Sequence, residues 1–127
     1  MSHFSCIKTC IINKTVLKRT LIDLGFDYED IQVQTQNKLY LKYVMSIKVK
    51  KNNINLFELI WNGVEFLFVA DLQLWKYGTP YEQLLERITQ RYSYNSIIEE
   101  SIKQGFIRIN EEKLKDGSIK LLLQRWH

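Results

Sequence analysis

The dipeptide Asn62-Gly63 lies between two runs of alternating apolar residues, 55–61 and 64–71. An Asn-Gly pair in this setting predicts a β-hairpin with a two-residue loop. Because side chains alternate along a strand, the register counted from that loop puts three apolar pairs on one face: Trp61 with Val64, Leu59 with Phe66, and Phe57 with Phe68. Each large side chain contributes roughly 1.5 to 3 kcal/mol when buried, so this face requires a covering layer of helices. The opposite face, which carries Glu58 and Glu65 among apolar residues, is half solvated at most.

The length and composition predict one soluble domain, residues 1–127, with a core that needs neither disulfides nor a metal. No apolar run approaches the roughly 20 residues that span a bilayer, and the N-terminus shows no secretory or transit signal. We therefore expect the protein to work in the compartment where it is made. A single alanine among many Ile, Lys and Asn residues is typical of an AT-rich genome, such as that of an organelle. The net charge of +4 permits an acidic partner without requiring one.

Two segments have the periodicity of amphipathic helices. The first follows an N-cap at Asn13, ends at Gly25, and has the stripe Val16, Leu17, Thr20, Leu21 and Leu24. The second covers residues 80–104. There Thr79 and Glu82 predict a capping box around Pro80, followed by the stripe Tyr81, Leu84, Leu85, Ile88 and Tyr92. The pattern leaves open whether this segment is one helix or two that are broken near residues 93–95.

The remaining apolar patterns predict strands. They cover residues 2–12, three short strands at 31–36, 38–43 and 46–50, the central hairpin with 72–75 as a candidate extension, and a final pair around a turn at Asp116-Gly117. This order of elements predicts an α+β fold in which two helices pack on one face of an antiparallel sheet. The expected architecture is a ferredoxin-like (split βαβ) sandwich with an extra strand or hairpin.

Familiar catalytic signatures are absent from the sequence. His3, Cys6 and Cys10 lack the second ligand pair of a structural zinc site, and no nucleophile elbow or glycine-rich phosphate loop occurs. The adjacent carboxylates, Glu99-Glu100 and Glu111-Glu112, diverge on a helix or strand and are interpreted as solvated charges. The sequence therefore predicts no cofactor and no metal. It favours a non-enzymatic protein and leaves the question of activity open.

The candidate interaction surface contains Arg87, Arg91, Tyr94 and Asn95 on the second helix, with Trp126 near the end of the chain. Arg87 and Arg91 lie one helical turn apart, and arginines beside an aromatic ring can bind phosphate or stack on a base. Three lysines could extend this surface: Lys48, Lys50 and Lys51. The alternative interpretation is a helix face whose arginines form ion pairs with Glu82 and Glu86.

Four regions of the sequence, in this order and spacing, resemble one known family. They are residues 1–9, 61–75 with its WNGVEF and VADLQLW motifs, 89–106, and 116–126. Together they are similar to the hypothetical chloroplast reading frame thirty-five family, small proteins of unknown function encoded in plastid genomes and in cyanobacteria. The resemblance implies a location in the plastid stroma or the cyanobacterial cytoplasm, and it implies no catalytic residues.

The leading hypothesis is a non-enzymatic accessory protein. It would contact another protein through an exposed sheet edge or through the region of Tyr94 and Trp126. One alternative is weak binding of nucleic acid (RNA) by the basic surface. Another is a small ligand held against Arg91 and Tyr94. A homodimer formed by sheet edges stays open, and no membrane association is expected.

Overall fold

The computed structural model describes residues 4–37, 40–75, 77–113, 115 and 119–125. The elements in chain order are β1 (Phe4–Lys8), α1 (Lys14–Asp23), β2 (Asp27–Asn37), β3 (Tyr40–Lys51), β4 (Ile54–Trp61), β5 (Phe66–Asp71), a short 3-10 helix (Leu72–Leu74), α2 (Tyr81–Lys103), β6 (Phe106–Lys113) and β7 (Ile119–Arg125). No helix in these ranges is long and apolar enough to span a membrane.

The main sheet has five strands in the order β1-β5-β4-β3-β2, and β6 and β7 form a separate two-stranded sheet. The predicted α+β class with an antiparallel sheet is confirmed. The ferredoxin-like arrangement is not confirmed. In a ferredoxin-like sheet a single strand separates the two parallel strands of each split βαβ unit, whereas here three strands, β5, β4 and β3, lie between β1 and β2. Strands β2 to β5 instead form a meander, and β1 closes one edge beside β5.

The core lies between the two helices and one face of the main sheet. Its helical members are Leu17, Leu21, Leu84 and Ile88, and its sheet members include Ile47, Val49, Phe57, Leu59, Phe66, Phe68 and Ala70. The helical stripes predicted from sequence supply these residues, because positions three or four apart share a helix face. Both helices therefore pack on the same side, which we call the inner face of the sheet.

The central hairpin has a four-residue loop, so the predicted two-residue loop is wrong. Trp61 pairs with Phe66 and Leu59 with Phe68. Asn62 stabilises the longer loop, because its side-chain Oδ1 accepts hydrogen bonds from the amides of Val64 (2.9 Å) and Glu65 (2.8 Å). The pairing is shifted by two residues from the predicted one. Since side chains alternate with period two, the apolar residues of both strands keep their predicted face, and only Val64 moves into the exposed loop.

The segment between α1 and β4 forms two long strands, and the prediction of three short ones is wrong. Strands β2 and β3 pair continuously from Asp27 with Lys50 to Asn37 with Tyr40. The predicted break between the second and third strands carries no Gly, Pro, Asn or Asp, so nothing interrupts β3 there. A turn at Asn52 and Asn53 separates β3 from β4, and both residues have positive φ, 54° and 63°. Asparagine tolerates this left-handed conformation better than most residues.

Helix α1 begins and ends as predicted, with the Asn13 side chain accepting from the Val16 amide at 3.1 Å. Helix α2 is one continuous helix of 23 residues without a side-chain cap. The predicted capping box does not form because Pro80 is itself the N-cap, which leaves Thr79 one position too early.

Residues 72–74 form a 3-10 helix instead of extending β5. Strand β1 is shorter than predicted, and the left-handed Cys10 (φ 62°) lies beyond its end. The turn predicted at Asp116-Gly117 lies outside the described residues.

Candidate functional site

Part of the candidate interaction surface forms the interface between α1 and α2. Asn95 is 5% exposed, and its Nδ2 donates to Thr20 Oγ1 (3.1 Å) and to Asp23 Oδ2 (3.0 Å). The same carboxylate oxygen accepts from Arg91 Nε at 3.3 Å. The Arg91 guanidinium also lies over the ring of Tyr94, 4.8 Å from its centroid, and Tyr94 is buried. These residues therefore connect the two helices.

The five predicted surface residues are thus only partly brought together. Arg91, Tyr94 and Asn95 share one network, in which Arg91 pairs with Asp23 rather than with the predicted Glu82 or Glu86. Arg87 is exposed on α2 one turn earlier. Trp126 lies outside the described residues. The partner in α1, Asp23, was missed by the sequence analysis because spacing along one helix carries no information about a contact with another helix.

The lysines that were expected to extend this surface lie elsewhere. Lys48 and Lys50 are on the face of the sheet opposite the helices, and Lys50 Nζ forms an ion pair with Glu29 at 2.8 Å. Lys51 Nζ lies over the rings of Phe26 (5.4 Å) and Tyr77 (5.7 Å). Because Arg87 and Arg91 belong to a helix on the inner face, the structure does not combine them with Lys48 and Lys50 in one basic surface.

Two carboxylates near the sheet edge have perturbed ionisation. The hydrogen bonds from Lys14 and Lys18 hold the pKa of Asp30 below its ordinary value, with N–O distances of 2.8 and 2.6 Å. The hydrogen bond from Lys50 likewise lowers the pKa of Glu29. Asp30 thereby ties α1 to β2 through two charge-assisted contacts, which are stronger than neutral hydrogen bonds. The contacts of Asp30 position the helix, and both carboxylates are ionised near neutral pH.

The cysteines considered as metal ligands are both exposed free thiols, and His3 lies outside the described residues. Within the described part of the chain, no group of three or more His, Cys, Asp or Glu side chains is placed to hold a metal ion.

The outer face of the main sheet, opposite the helices, carries a groove that the sequence analysis did not predict as a site. The register places Phe4 beside Asp71, and Glu58 between Val69 and Lys48. The groove has a volume of about 450 Å³. Apolar side chains supply part of its lining, namely Phe4, Leu56, Val69 and Leu74, and the charged side chains are Lys48, Glu58 and Asp71. Phe4 is 64% exposed and Leu74 66% exposed. The alternation of apolar and charged residues in β4 was the available sequence signal.

A second, smaller groove of about 290 Å³ lies between the start of α1 and the second half of α2. On one side the hydroxyl of Tyr92 accepts hydrogen bonds from the amides of Ile12 (3.3 Å) and Asn13 (3.0 Å). On the other side Glu99 pairs with Lys103 at 3.4 Å. Tyr92, Glu99 and Lys103 are therefore already partnered. Neither of these two grooves is lined by Arg91 or Tyr94, where a small ligand was considered.

Fold and surface define an α+β protein whose two helices cover one face of an antiparallel sheet, while no helix of the described residues covers the other face. The chain belongs to the family described as protein of unknown function DUF1257, whose model matches residues 20–122. The resemblance to the chloroplast reading frame family that was inferred from the sequence is confirmed, because proteins similar to this chain are named uncharacterized protein ycf35.

Three of these relatives are each named uncharacterized protein ycf35. The protein of Pyropia yezoensis is 40% identical, covering 100% of this chain and 99% of the relative. That of Guillardia theta is 39% identical, covering 99% and 98%. That of Cyanophora paradoxa is 35% identical over the same shares. The family is plastid-encoded. No solved structure matches this chain.

Proposed function

We propose that this chain is a non-enzymatic protein-interaction module of the plastid stroma, and that the groove on the outer face of the sheet binds its partner. The observation that carries the proposal is the exposure of Phe4 and Leu74, two large apolar side chains that line this groove. Large apolar side chains grouped on an open surface are typical of interaction sites. Partner binding would remove them from water, and roughly 25 cal/mol is gained per Å² of apolar surface buried.

The charges of the groove indicate the chemistry of the partner. Lys48, Glu58 and Asp71 belong to none of the ion pairs among the described residues. One oxygen of Asp71 accepts from the Gln73 amide at 3.1 Å, and no partner of its other oxygen is found among the described residues. The groove thus offers two carboxylates against one ammonium group. An apolar segment that carries basic side chains, such as one face of an amphipathic helix, matches this arrangement.

Nucleic-acid binding is less well supported than protein binding. Arg91 is already paired with Asp23, Lys50 with Glu29, and Arg87 and Arg91 lie on the side of the sheet opposite Lys48 and Lys50. Phosphate recognition needs several free cations on one surface.

Binding of designed peptides tests the proposal. A fluorescein-labelled amphipathic helix of Leu and Lys residues serves as the probe, and its Leu/Glu counterpart is the control peptide, with anisotropy as the readout. We expect the Leu/Lys peptide to bind more tightly. The double variant Glu58→Gln/Asp71→Asn should weaken it between about twofold and thirtyfold, since an exposed charge pair contributes about 0.2 to 1 kcal/mol. The amide at position 71 preserves the cap of the 3-10 helix.

The matched control is Glu82→Gln/Glu86→Gln. It makes the same change in net charge at exposed positions of α2, and we expect it to leave the affinity unchanged. A further variant, Phe4→Ser/Leu74→Ser, should abolish binding with little change in melting temperature, because both side chains are exposed in the free protein. Equal affinity of the two peptides, or equal effects of the two charge variants, would contradict the proposal.

A further inference from the structure

Strand β2 is the last strand at one edge of the main sheet in the part of the chain that the structure describes. It pairs with β3 along its whole length, from Asp27 with Lys50 to Asn37 with Tyr40, and the strand order ends with β2. In an antiparallel pair the amide and carbonyl groups of alternate residues point toward the neighbouring strand, and those between them point away. One set of backbone groups of β2 therefore bonds β3, and the other set is directed outward along an edge of 11 residues.

The two halves of this edge differ in charge. Residues 27–30 include Asp27, Glu29 and Asp30, and the last two are held by lysines of α1 and β3. Residues 31–37, in contrast, read Ile-Gln-Val-Gln-Thr-Gln-Asn and contain no charge, proline or glycine. The pairing of β2 with β3 also has no register shift.

Natural sheets usually protect their edges with charges, prolines, bulges or short strands. The opposite edge of this sheet follows that rule, since β1 has five residues and ends at Lys8. Residues 31–37 have none of these protections, and they combine β-branched residues with low charge, which is the composition that favours strand pairing. This part of the edge is therefore suited to accept another strand.

We propose that residues 31–37 pair antiparallel with the same residues of a second copy of this chain. An antiparallel pairing of identical strands has two-fold symmetry, the commonest symmetry of homodimers. With the axis at Gln34, Ile31 of one copy lies opposite Asn37 of the other, and no charged residue within 31–37 meets another. A register that brought the two 27–30 segments together would instead oppose carboxylates, which is destabilising. Charge thus selects the neutral half of the edge, and the two sheets become continuous.

This interface is independent of the groove that we propose for the partner. The two proposals predict different responses to salt. Two copies that each carry a charge of +4 repel one another, and added salt screens that repulsion. The dimer should therefore be unchanged or stronger at high salt, whereas binding of a basic peptide in the groove should weaken. Failure of either proposal is then visible without reference to the other.

The first test is the mass of the wild-type protein across a concentration series, measured by sedimentation equilibrium. We expect a shift from 15.2 kDa to twice that mass. Amide hydrogen exchange of β2 locates the interface. One alternating set of amides should be protected at all concentrations by β3, and the other set within 31–37 should become protected only where the dimer forms. A 15.2 kDa species up to about 1 mM would overturn the proposal, and so would a dimer that leaves the outward set unprotected.

The second test is the variant Gln32→Lys/Gln34→Lys, which introduces lysines of the kind that protect the edges of natural sheets. We expect its dimer dissociation constant to rise at least tenfold. The matched control, Gln83→Lys/Ser93→Lys, adds the same two charges at exposed positions of α2 and should dimerise as the wild type does. Circular dichroism verifies that each variant is folded, and the hydrogen-exchange test needs no substitution. Equal dissociation constants for the two variants would overturn the proposal.

Discussion

Replacement of Asn95 by alanine tests whether this residue connects the helices or serves a surface. In the structure its amide makes two hydrogen bonds across the α1–α2 interface, one to the neutral hydroxyl of Thr20 and one to the carboxylate of Asp23. A neutral hydrogen bond contributes about 0.5 to 1.5 kcal/mol, and one to a charged group about 1.5 to 3 kcal/mol. Alanine has a higher helix propensity than asparagine, which reduces the expected loss of stability by about 0.5 kcal/mol.

We expect a loss of about 2 kcal/mol in the free energy of unfolding, near the lower end of the sum. Asp23 is partly exposed and keeps its contact with Arg91, so the substitution does not leave its charge buried and unpaired. For a chain of this length each kcal/mol corresponds to about 3 to 5 °C in melting temperature. The Asn95→Ala variant should therefore melt roughly 6 to 10 °C below the wild type, and chemical denaturation should give the same ranking.

The control is Ser93→Ala, an exposed position two residues earlier in α2, which should change stability by less than about 0.5 kcal/mol. A double-mutant cycle with Asp23→Ala isolates the contact itself. Residues that share a hydrogen bond should couple by about 0.5 kcal/mol or more. If Asn95→Ala is as stable as the control, or if the stability losses of Asn95→Ala and Asp23→Ala are additive, Asn95 does not connect the two helices.

Two further predictions concern charge and backbone conformation. Since Lys14 and Lys18 lower the folded-state pKa of Asp30 below its ordinary 3.8, its contribution to stability is present above about pH 4 and is lost as the pH falls through the lower folded value. Urea unfolding should therefore show Asp30→Asn to be less stable than wild type at pH 7, by up to about 2 kcal/mol, with a smaller gap at pH 3; a gap that is equal at both values would contradict this. At the turn after β3, Asn53 has a φ of 63°, so Asn53→Val should cost about 1 to 2 kcal/mol whereas Asn53→Gly should be nearly neutral. Similar thermal melts for the two variants would exclude this account.

The sequence predicts the elements of this fold well where the signal is local. The Asn13 cap, the stop at Gly25 and the stripes of both helices follow from periodicity and end signals, and the structure confirms them. The capping box at Thr79 was wrong by one position, because the motif does not specify which residue becomes the N-cap. Pro80 occupies that position instead.

Contacts between elements could not be predicted in the same way. Arg91 and Asn95 were identified as polar residues of α2, but their partner Asp23 is 68 or more residues away in sequence. The strand order could not be predicted either, since the alternation of side chains specifies the faces of a strand and not its place in the sheet. The role of the predicted interaction residues stays a prediction, as does the extent of the domain.

The loop at residues 62–65 has a consequence for how chains of this kind can diverge. Its four residues join strands whose buried side chains alternate with period two. A shift of the pairing by two residues, such as the one that separates the predicted from the observed register, still directs Phe66 and Phe68 into the core. A shift by one residue would turn both rings to solvent. Insertions and deletions confined to the loop leave the pairing of Trp61 with Phe66 in place, so the length of this loop should vary among relatives while the parity of the register stays the same.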